Sequence, residues 1–364
     1  MNVTIRRVIA LVISVFTALP GALAASDPGG SLKYLNNNRW TQEERKTFYH
    51  TSEGPFYMPY DWLKALETPE SKADAIQLFG TAETFRRYGL IVDPSTNPPD
   101  GLRDGLPVGF VVSKEPVPGL GRMFGLTCAG CHTGMLEYGG QAFLIDGGSP
   151  LSNLKPFVGD AFSALGVTLQ DKQKFARFAQ KVLCKDNPSQ EEMEGLGKAV
   201  NAVLIKVQKT EPQTEEEKRI YPLAWGYGRL DAFGRGGNTL LTPLSPDNFW
   251  PADAPVSFPA LWGAYDYMWV QWNGSINQPM ARNISQAITG SRRMEYDDPA
   301  DPYKSTINVE ILHQLELLMR KLTPPHWPQG RFEKAEDNKA FEIDLATATK
   351  GKALFKDRCA GCHV

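Results

Sequence analysis

This chain of 364 residues has few cysteines, nearly balanced charges and few long apolar runs. The formal net charge is −2, which argues against electrostatic attraction to nucleic acid or to an anionic membrane surface. After the first 24 residues, no stretch approaches the roughly 20 apolar residues that a transmembrane helix needs. The mature chain is therefore expected to lack a membrane span, and its length allows two or more domains.

The one notable apolar run lies at the N-terminus and is short. Arg6 and Arg7 precede the run at 8–20, and Ala22-Leu23-Ala24 matches an A-x-A cleavage site. The sequence therefore predicts a signal peptide over residues 1–24 and a periplasmic or secreted product.

Cysteine is rare, yet four of the five cysteines lie in two copies of one pentapeptide. Cys-Ala-Gly-Cys-His occurs at 128–132 and again at 359–363. This C-x-x-C-H pattern is the attachment signature of a c-type haem, because two thiols one short turn apart can each add across a haem vinyl group. The scarcity of cysteine argues against chance recurrence. The sequence thus predicts two covalently attached c-type haems, one held by Cys128 and Cys131, the other by Cys359 and Cys362.

The histidine that ends each motif, His132 or His363, is the predicted proximal iron ligand. A zinc site is an alternative, but it must unite two cysteine pairs separated by most of the chain and leaves each histidine unexplained. A thioredoxin-like dithiol also gives the histidine no role, and a disulfide across two residues would be strained. The fifth cysteine, Cys184, ends a helical stretch and has no predicted haem role.

Apolar periodicity predicts a mainly α fold with long irregular loops and a small β-hairpin. The two C-x-x-C-H motifs imply cytochrome c-like haem domains, of which the second is truncated. The hairpin is placed at 135–146 with its turn at 145–148, and a short strand at 108–112. Thr41 and Asp61 are the expected N-caps of two helices. Helices are predicted at 40–49, 61–67, 71–88, 171–184, 190–208, 306–322 and 345–358.

The predicted domains are the signal peptide, an N-terminal c-type haem domain with a tryptophan-rich insertion over 25–325, and a linker with the start of a second cytochrome c domain over 326–364. The chain stops one residue after His363. A cytochrome c domain needs further helices beyond its motif to bury its haem. We therefore expect a fragment of a longer product; the alternative is an exposed, unfinished site.

Tryptophan is concentrated in the middle of the chain, where five of the eight lie between 225 and 272. Packing in the core and around a cofactor is the expected role of most of them, since a buried indole needs one polar partner. The alternative is that one indole lies between two haems and helps electrons cross.

This layout resembles the bacterial di-haem cytochrome c peroxidase superfamily, and within it the di-haem rubber oxygenase type. The likeness covers most of the mature chain. It is carried by YMPYDW at 57–62, GRLDA at 228–232, WVQWNGSINQPM at 269–280 and the PPHWP linker at 324–328.

The resemblance implies that the N-terminal haem is the reactive centre, with His132 as proximal ligand and the opposite face open to dioxygen or peroxide. The second haem, with His363, would be an electron relay. The family's inter-haem tryptophan falls on Trp269. Ile284 stands near the position of the aromatic residue that lines the oxygen pocket, and this departure argues against polyisoprene cleavage.

Three further side chains are weaker candidates. Arg229 is a candidate for binding a haem propionate, because guanidinium suits carboxylates bidentately; a salt bridge to Asp231 is the alternative. Gln278 and Arg282 are candidate polar groups of the distal pocket; the alternative is a solvated surface pair.

The predicted function is that of a di-haem c-type cytochrome, an oxidoreductase that activates peroxide or dioxygen at the N-terminal haem and exchanges electrons with the second haem. The alternative is an electron-transfer cytochrome without substrate chemistry. The expected partners are small redox proteins, as electron donors or acceptors, and a small-molecule oxidant or organic substrate.

Overall fold

A computed structural model describes residues 32–35, 39–92, 105–138, 141–208, 225–290, 305–327, 338–339 and 341–363. The predicted signal peptide lies outside these residues. The helices of the described part are α1 (Gln42–His50), α2 (Tyr60–Ala65), α3 (Ala82–Arg87), α4 (Leu154–Gln170), α5 (Lys172–Leu183), α6 (Gln190–Gln208), α7 (Ala232–Leu241), α8 (Pro279–Gly290), α9 (Val309–Met319) and α10 (Leu345–Arg358).

The strands are short and form small sheets, so the prediction of a mainly α protein is confirmed for the described residues. They are β1 (Lys33–Tyr34), β2 (Phe56–Pro59), β3 (Phe110–Val112), β4 (Met123–Leu126), β5 (Thr133–Tyr138), β6 (Gln141–Asp146), β7 (Arg229–Leu230), β8 (Val256–Ser257), β9 (Trp269–Val270) and β10 (Ile276–Asn277). No helix of the described residues is long and apolar enough to cross a membrane.

Helix α1 begins where its capping sequence predicts. The Thr41 hydroxyl accepts a hydrogen bond from the Glu44 backbone N–H at 3.2 Å, and the Glu44 carboxylate accepts one from the Thr41 N–H at 2.8 Å. These two bonds satisfy donors that the first turn of a helix leaves free. The predicted helices at 171–184, 190–208 and 345–358 are also confirmed, within one residue at each end.

The predicted hairpin is present as β5 and β6, but its predicted turn is wrong. Tyr138 pairs with Gln141, so the strands are joined between these two positions and not at 145–148. The sequence between them is Gly-Gly, which is a strong hairpin signal. The predicted turn at 145–148 instead follows β6, where the Gly148 N–H donates to the Ile145 carbonyl at 3.0 Å.

The predicted helix over 71–88 is wrong for most of its length, since only α3 is helical there. The Ser71 hydroxyl donates to the Glu67 carboxylate at 3.2 Å and accepts from the Gln77 N–H at 3.0 Å. Such side-chain bonds to nearby groups compete with helical ones. Asp61 is not a cap either: α2 begins one residue earlier, and Asp61 pairs with Lys64 at 2.7 Å.

The larger core lies between the β2–β4–β3 sheet and helices α4, α5 and α6. Its centre is Phe157 of α4, which is 1% exposed and lies 5.5 Å, centroid to centroid, from both Tyr88 and Phe110. Helix α4 is absent from the predicted helices, and its sequence contains Pro156, Gly159 and Gly166. Pro156 falls in the first turn, where proline costs no helical hydrogen bond.

A second core places α1 and α9 against β6 and the turn that carries the first cysteine motif. Phe48, Leu144 and Leu315 are fully buried in it, and Ala129 of the motif is 1% exposed. The first motif is therefore built into the core of the protein rather than onto its surface.

Candidate functional site

The first cysteine motif forms a 3-10 turn, Cys128–Gly130, between β4 and β5. The Thr127 hydroxyl caps the turn by accepting from the Ala129 N–H at 3.3 Å. The Cys131 N–H donates to the Cys128 carbonyl at 3.1 Å and the His132 N–H to the Ala129 carbonyl at 3.3 Å. These bonds hold both thiols and the imidazole on one short, fixed piece of backbone.

Close backbone packing requires glycine at position 109, opposite the motif. A Cβ on Gly109 would lie 1.9 Å from the Gly130 nitrogen, whereas one on Gly130 would meet the end of the Leu126 side chain, with Cδ1 at 2.2 Å. Gly109 also has a φ of +81°, a conformation that other residues adopt only with strain. The turn is thus pressed against the segment that precedes β3, and its geometry leaves little freedom.

His132 is 5% exposed and its ring orientation is set by one hydrogen bond. Its Nδ1 lies 2.8 Å from the Pro259 carbonyl oxygen, so Nδ1 carries the proton and donates it, and Nε2 keeps its lone pair. Burial, aided by the positive charge of Arg282, lowers the pKa of His132 to about 3. The imidazole is therefore neutral, which is the form that ligates a metal.

The Pro259 carbonyl is held in place by the loop around it. The Phe258 N–H donates to the Gly228 carbonyl and the Leu261 N–H to the Gly147 carbonyl, each at 2.9 Å. The Trp262 indole N–H donates to the Asp146 backbone carbonyl at 2.9 Å. The loop is thereby anchored to the end of β6, and it presents an acceptor to His132 from outside the motif.

The two cysteines of the motif are half-buried beside a buried carboxyl group. The Cys128 thiol donates to the Glu53 carboxylate at 3.1 Å. Burial raises the pKa of the Cys128 thiol well above its ordinary value, and Glu53 raises it further. Burial likewise raises the pKa of Cys131 to about 12, so both cysteines are neutral thiols.

Arg282 is the weaker candidate that the fold does bring to the motif. It projects from α8, and its charge acts on His132, Glu53 and both thiols. A guanidinium in this position suits an anionic group bound beside the motif, such as a haem propionate.

The other candidates make local contacts or are exposed. Gln278 has a φ of +87°, and its side-chain oxygen accepts from the Ala281 N–H at 2.7 Å, so it caps the start of α8. Arg229 is exposed on β7, where it pairs with Ser257 of β8, two residues before Pro259. Trp269 is 57% exposed on β9.

The tryptophans between 225 and 272 differ widely in exposure. Trp225 is 4% exposed, but Trp250, Trp269 and Trp272 are 73%, 57% and 61% exposed. Core packing therefore does not account for these three, and their packing around a cofactor stays a prediction.

The second motif has a different environment from the first. Cys359, Cys362 and His363 are exposed at the end of α10, a helix with no buried side chain. Among the described residues, no group of three or more His, Cys, Asp or Glu side chains could hold a metal ion.

Two groups of the first site could not be recognised from the sequence. Glu53 is 75 residues from Cys128, and Pro259 is 127 residues from His132. Pro259 contributes only its backbone carbonyl, which leaves no trace in the residue type. Glu53 stands before a Gly-Pro turn and has no motif of its own.

Comparison with known proteins adds relatives but no activity. "Uncharacterized protein y4iJ" of Sinorhizobium fredii (strain NBRC 101917 / NGR234) is 33% identical over 91% of this chain and 57% of its own length. "Uncharacterized protein y4iM" of the same strain is 28% identical over 30% of this chain and 20% of its own length. The chain thus spans a little over half of the first relative. No family model and no solved structure matches the chain.

Proposed function

We propose that this chain is an exported c-type cytochrome, an oxidoreductase of the di-haem peroxidase type whose first haem is carried by the motif at 128–132. Cys128 and Cys131 would hold the porphyrin through thioethers, and His132 would ligate the iron through Nε2. When bound, the haem supplies one-electron chemistry and the activation of peroxide or dioxygen.

The observation that supports this proposal best is the hydrogen bond from His132 Nδ1 to the Pro259 carbonyl. Metal-ligating histidines commonly donate their other ring N–H to a carbonyl or carboxylate, which fixes the tautomer and orients the ring. His132 is buried, neutral and oriented by an anchored loop. A dithiol active site has no use for such a histidine, whereas an iron ligand needs one.

The chain's own residues would have separate tasks around this haem. The turn would orient the two sulfurs, His132 would hold the iron, and Arg282 would balance the negative charge of a propionate. The second haem would be held by Cys359 and Cys362, with His363 as ligand and the role of electron relay. We propose small redox proteins as electron donors or acceptors, and peroxide, dioxygen or an organic molecule as substrate.

The test is a haem count on cysteine variants of the exported protein, by intact mass and pyridine haemochrome spectrum. We expect two haems per chain in the wild type, and one in either Cys128→Ala/Cys131→Ala or Cys359→Ala/Cys362→Ala. The matched control is Cys184→Ala, an exposed cysteine outside both motifs, which should keep two. A wild-type chain without covalent haem would overturn the proposal.

Carbon monoxide binding to the reduced protein distinguishes substrate chemistry from electron transfer alone. We expect binding in the wild type and in Cys359→Ala/Cys362→Ala, because the first haem would be the reactive one and would be accessible to small molecules. Cys128→Ala/Cys131→Ala should lose carbon monoxide binding. Haems that bind no carbon monoxide would contradict the oxidoreductase and favour a purely electron-transferring cytochrome.

A further inference from the structure

Glu53 is a buried carboxyl group whose backbone is fixed on both sides. Its carbonyl accepts from the Asn308 N–H at 3.1 Å, and the Gly54 carbonyl accepts from the Thr306 hydroxyl at 2.6 Å. Gly54 has a φ of +113°, and a Cβ there would lie 2.2 Å from the Thr306 carbonyl oxygen. The segment before α9 therefore sets the direction of the Glu53 side chain.

That side chain points at the first motif. Glu53 is 5% exposed, and its carboxylate accepts from the Cys128 thiol at 3.1 Å. The charged and titratable groups that act on it are Cys128, Cys131 and Arg282. A buried carboxylate is costly unless it is paired, so this group has few ways to remain charged.

Attachment of the proposed haem would change the surroundings of this carboxyl. The Cys128 sulfur would bond to a vinyl carbon and its proton would move to the neighbouring carbon, so Glu53 would lose its sulfur donor. Arg282 would remain as the main positive charge that favours the carboxylate. An electron added at the haem would oppose Arg282 and so favour the neutral acid.

We propose, on the basis of the function proposed above, that Glu53 is a positioning residue that couples proton uptake to electron uptake at the first haem. It takes one proton from solvent when that haem gains one electron from a one-electron donor protein. It returns the proton when the electron leaves. Charge is thereby conserved in the buried site through each turnover.

The direction of the expected pH effect follows from the charges. Burial raises the pKa of Glu53 to about 7, and the Cys128 hydrogen bond and Arg282 limit that rise. Without the thiol donor the pKa is expected to be higher. Above it, the carboxylate stabilises the oxidised, more positive haem. The midpoint potential should therefore fall as the pH rises through the neutral to alkaline range.

The test is a spectroelectrochemical titration of the first haem from about pH 5 to about pH 10, which brackets the raised pKa of a buried Glu. It uses Cys359→Ala/Cys362→Ala as the background, so that one haem contributes to the signal. The parent should lose up to about 59 mV per pH unit within the window, the limit for one proton per electron. Glu53→Gln should be flat there and should lie above the parent at high pH. Arg282→Gln should move the window to higher pH.

The matched control is Glu67→Gln, another buried carboxyl, 3% exposed, which pairs with Arg177 in a different part of the core. It should follow the parent curve. A Glu53→Gln variant that keeps the parent slope, or a parent that shows none, would overturn the coupling while leaving the cytochrome assignment intact. A parent chain without haem would instead overturn the proposed function.

Discussion

Asp146→Asn tests a buried ion pair at the end of β6. The loop that contacts His132 is anchored to the same end of this strand. The Asp146 residue is 1% exposed. Its carboxylate accepts from Arg45 Nε at 3.0 Å and pairs with a terminal guanidinium nitrogen at 2.9 Å. It also accepts from the Tyr49 hydroxyl. One carboxylate thus joins α1 to β6 across the second core.

Asparagine keeps the shape of this side chain but removes its charge. The Arg45 guanidinium, with its side chain only 11% exposed, would then be buried without a counter-charge. Breaking a buried pair from one side costs about 3–5 kcal/mol in the free energy of unfolding. The control is Asp61→Asn, since Asp61 and Lys64 form a pair with side chains 52% and 29% exposed. Its cost should stay below about 1 kcal/mol.

Urea unfolding followed by circular dichroism at neutral pH would measure both losses. A second variant, Arg45→Met/Asp146→Leu, replaces both charges with apolar groups and should recover most of the stability, because no unpaired charge remains. The reasoning is refuted if Asp146→Asn costs less than about 1 kcal/mol. It is also refuted if the double variant is no more stable than the single one.

Three further predictions concern the motif, a helix cap and the core. The pKa of His132 is about 3 in the folded state and near 6.5 in the unfolded state, so between these values mainly the unfolded state binds the proton. The free energy of unfolding should therefore decrease as the pH is lowered from about 6.5 to about 3, by up to about 1.4 kcal/mol per pH unit. His132→Asn should show a shallower pH dependence in urea unfolding. Thr41→Ala should lower the free energy of unfolding by about 1 kcal/mol, because it removes the N-cap of α1. An unchanged free energy of unfolding would contradict the capping geometry. Phe157→Ala should lower the free energy of unfolding by about 3–5 kcal/mol, and Phe175→Ala should lower it clearly less, because Phe175 is only partly buried. Equal losses in thermal or urea unfolding would count against the assigned core.

The sequence was most informative where the relevant physics is local. The two C-x-x-C-H motifs, the cap at Thr41 and the helices α5, α6 and α10 all depend on residues within a few positions of one another. Helical hydrogen bonds and caps span three or four residues, so their signal lies in adjacent sequence. Leu196 and Val200, about one helical turn apart on α6, are both buried, as an amphipathic helix requires.

The sequence by itself therefore determined which reactive groups the chain carries. Each of the two motifs supplies two thiols and an imidazole within five residues. Only the tertiary structure decided that the first copy is buried beside Glu53 and oriented by the Pro259 carbonyl, while the second is exposed. Burial and these partners depend on contacts between residues 75 and 127 positions apart. Such contacts follow from how helices and sheets pack, and no local pattern encodes them.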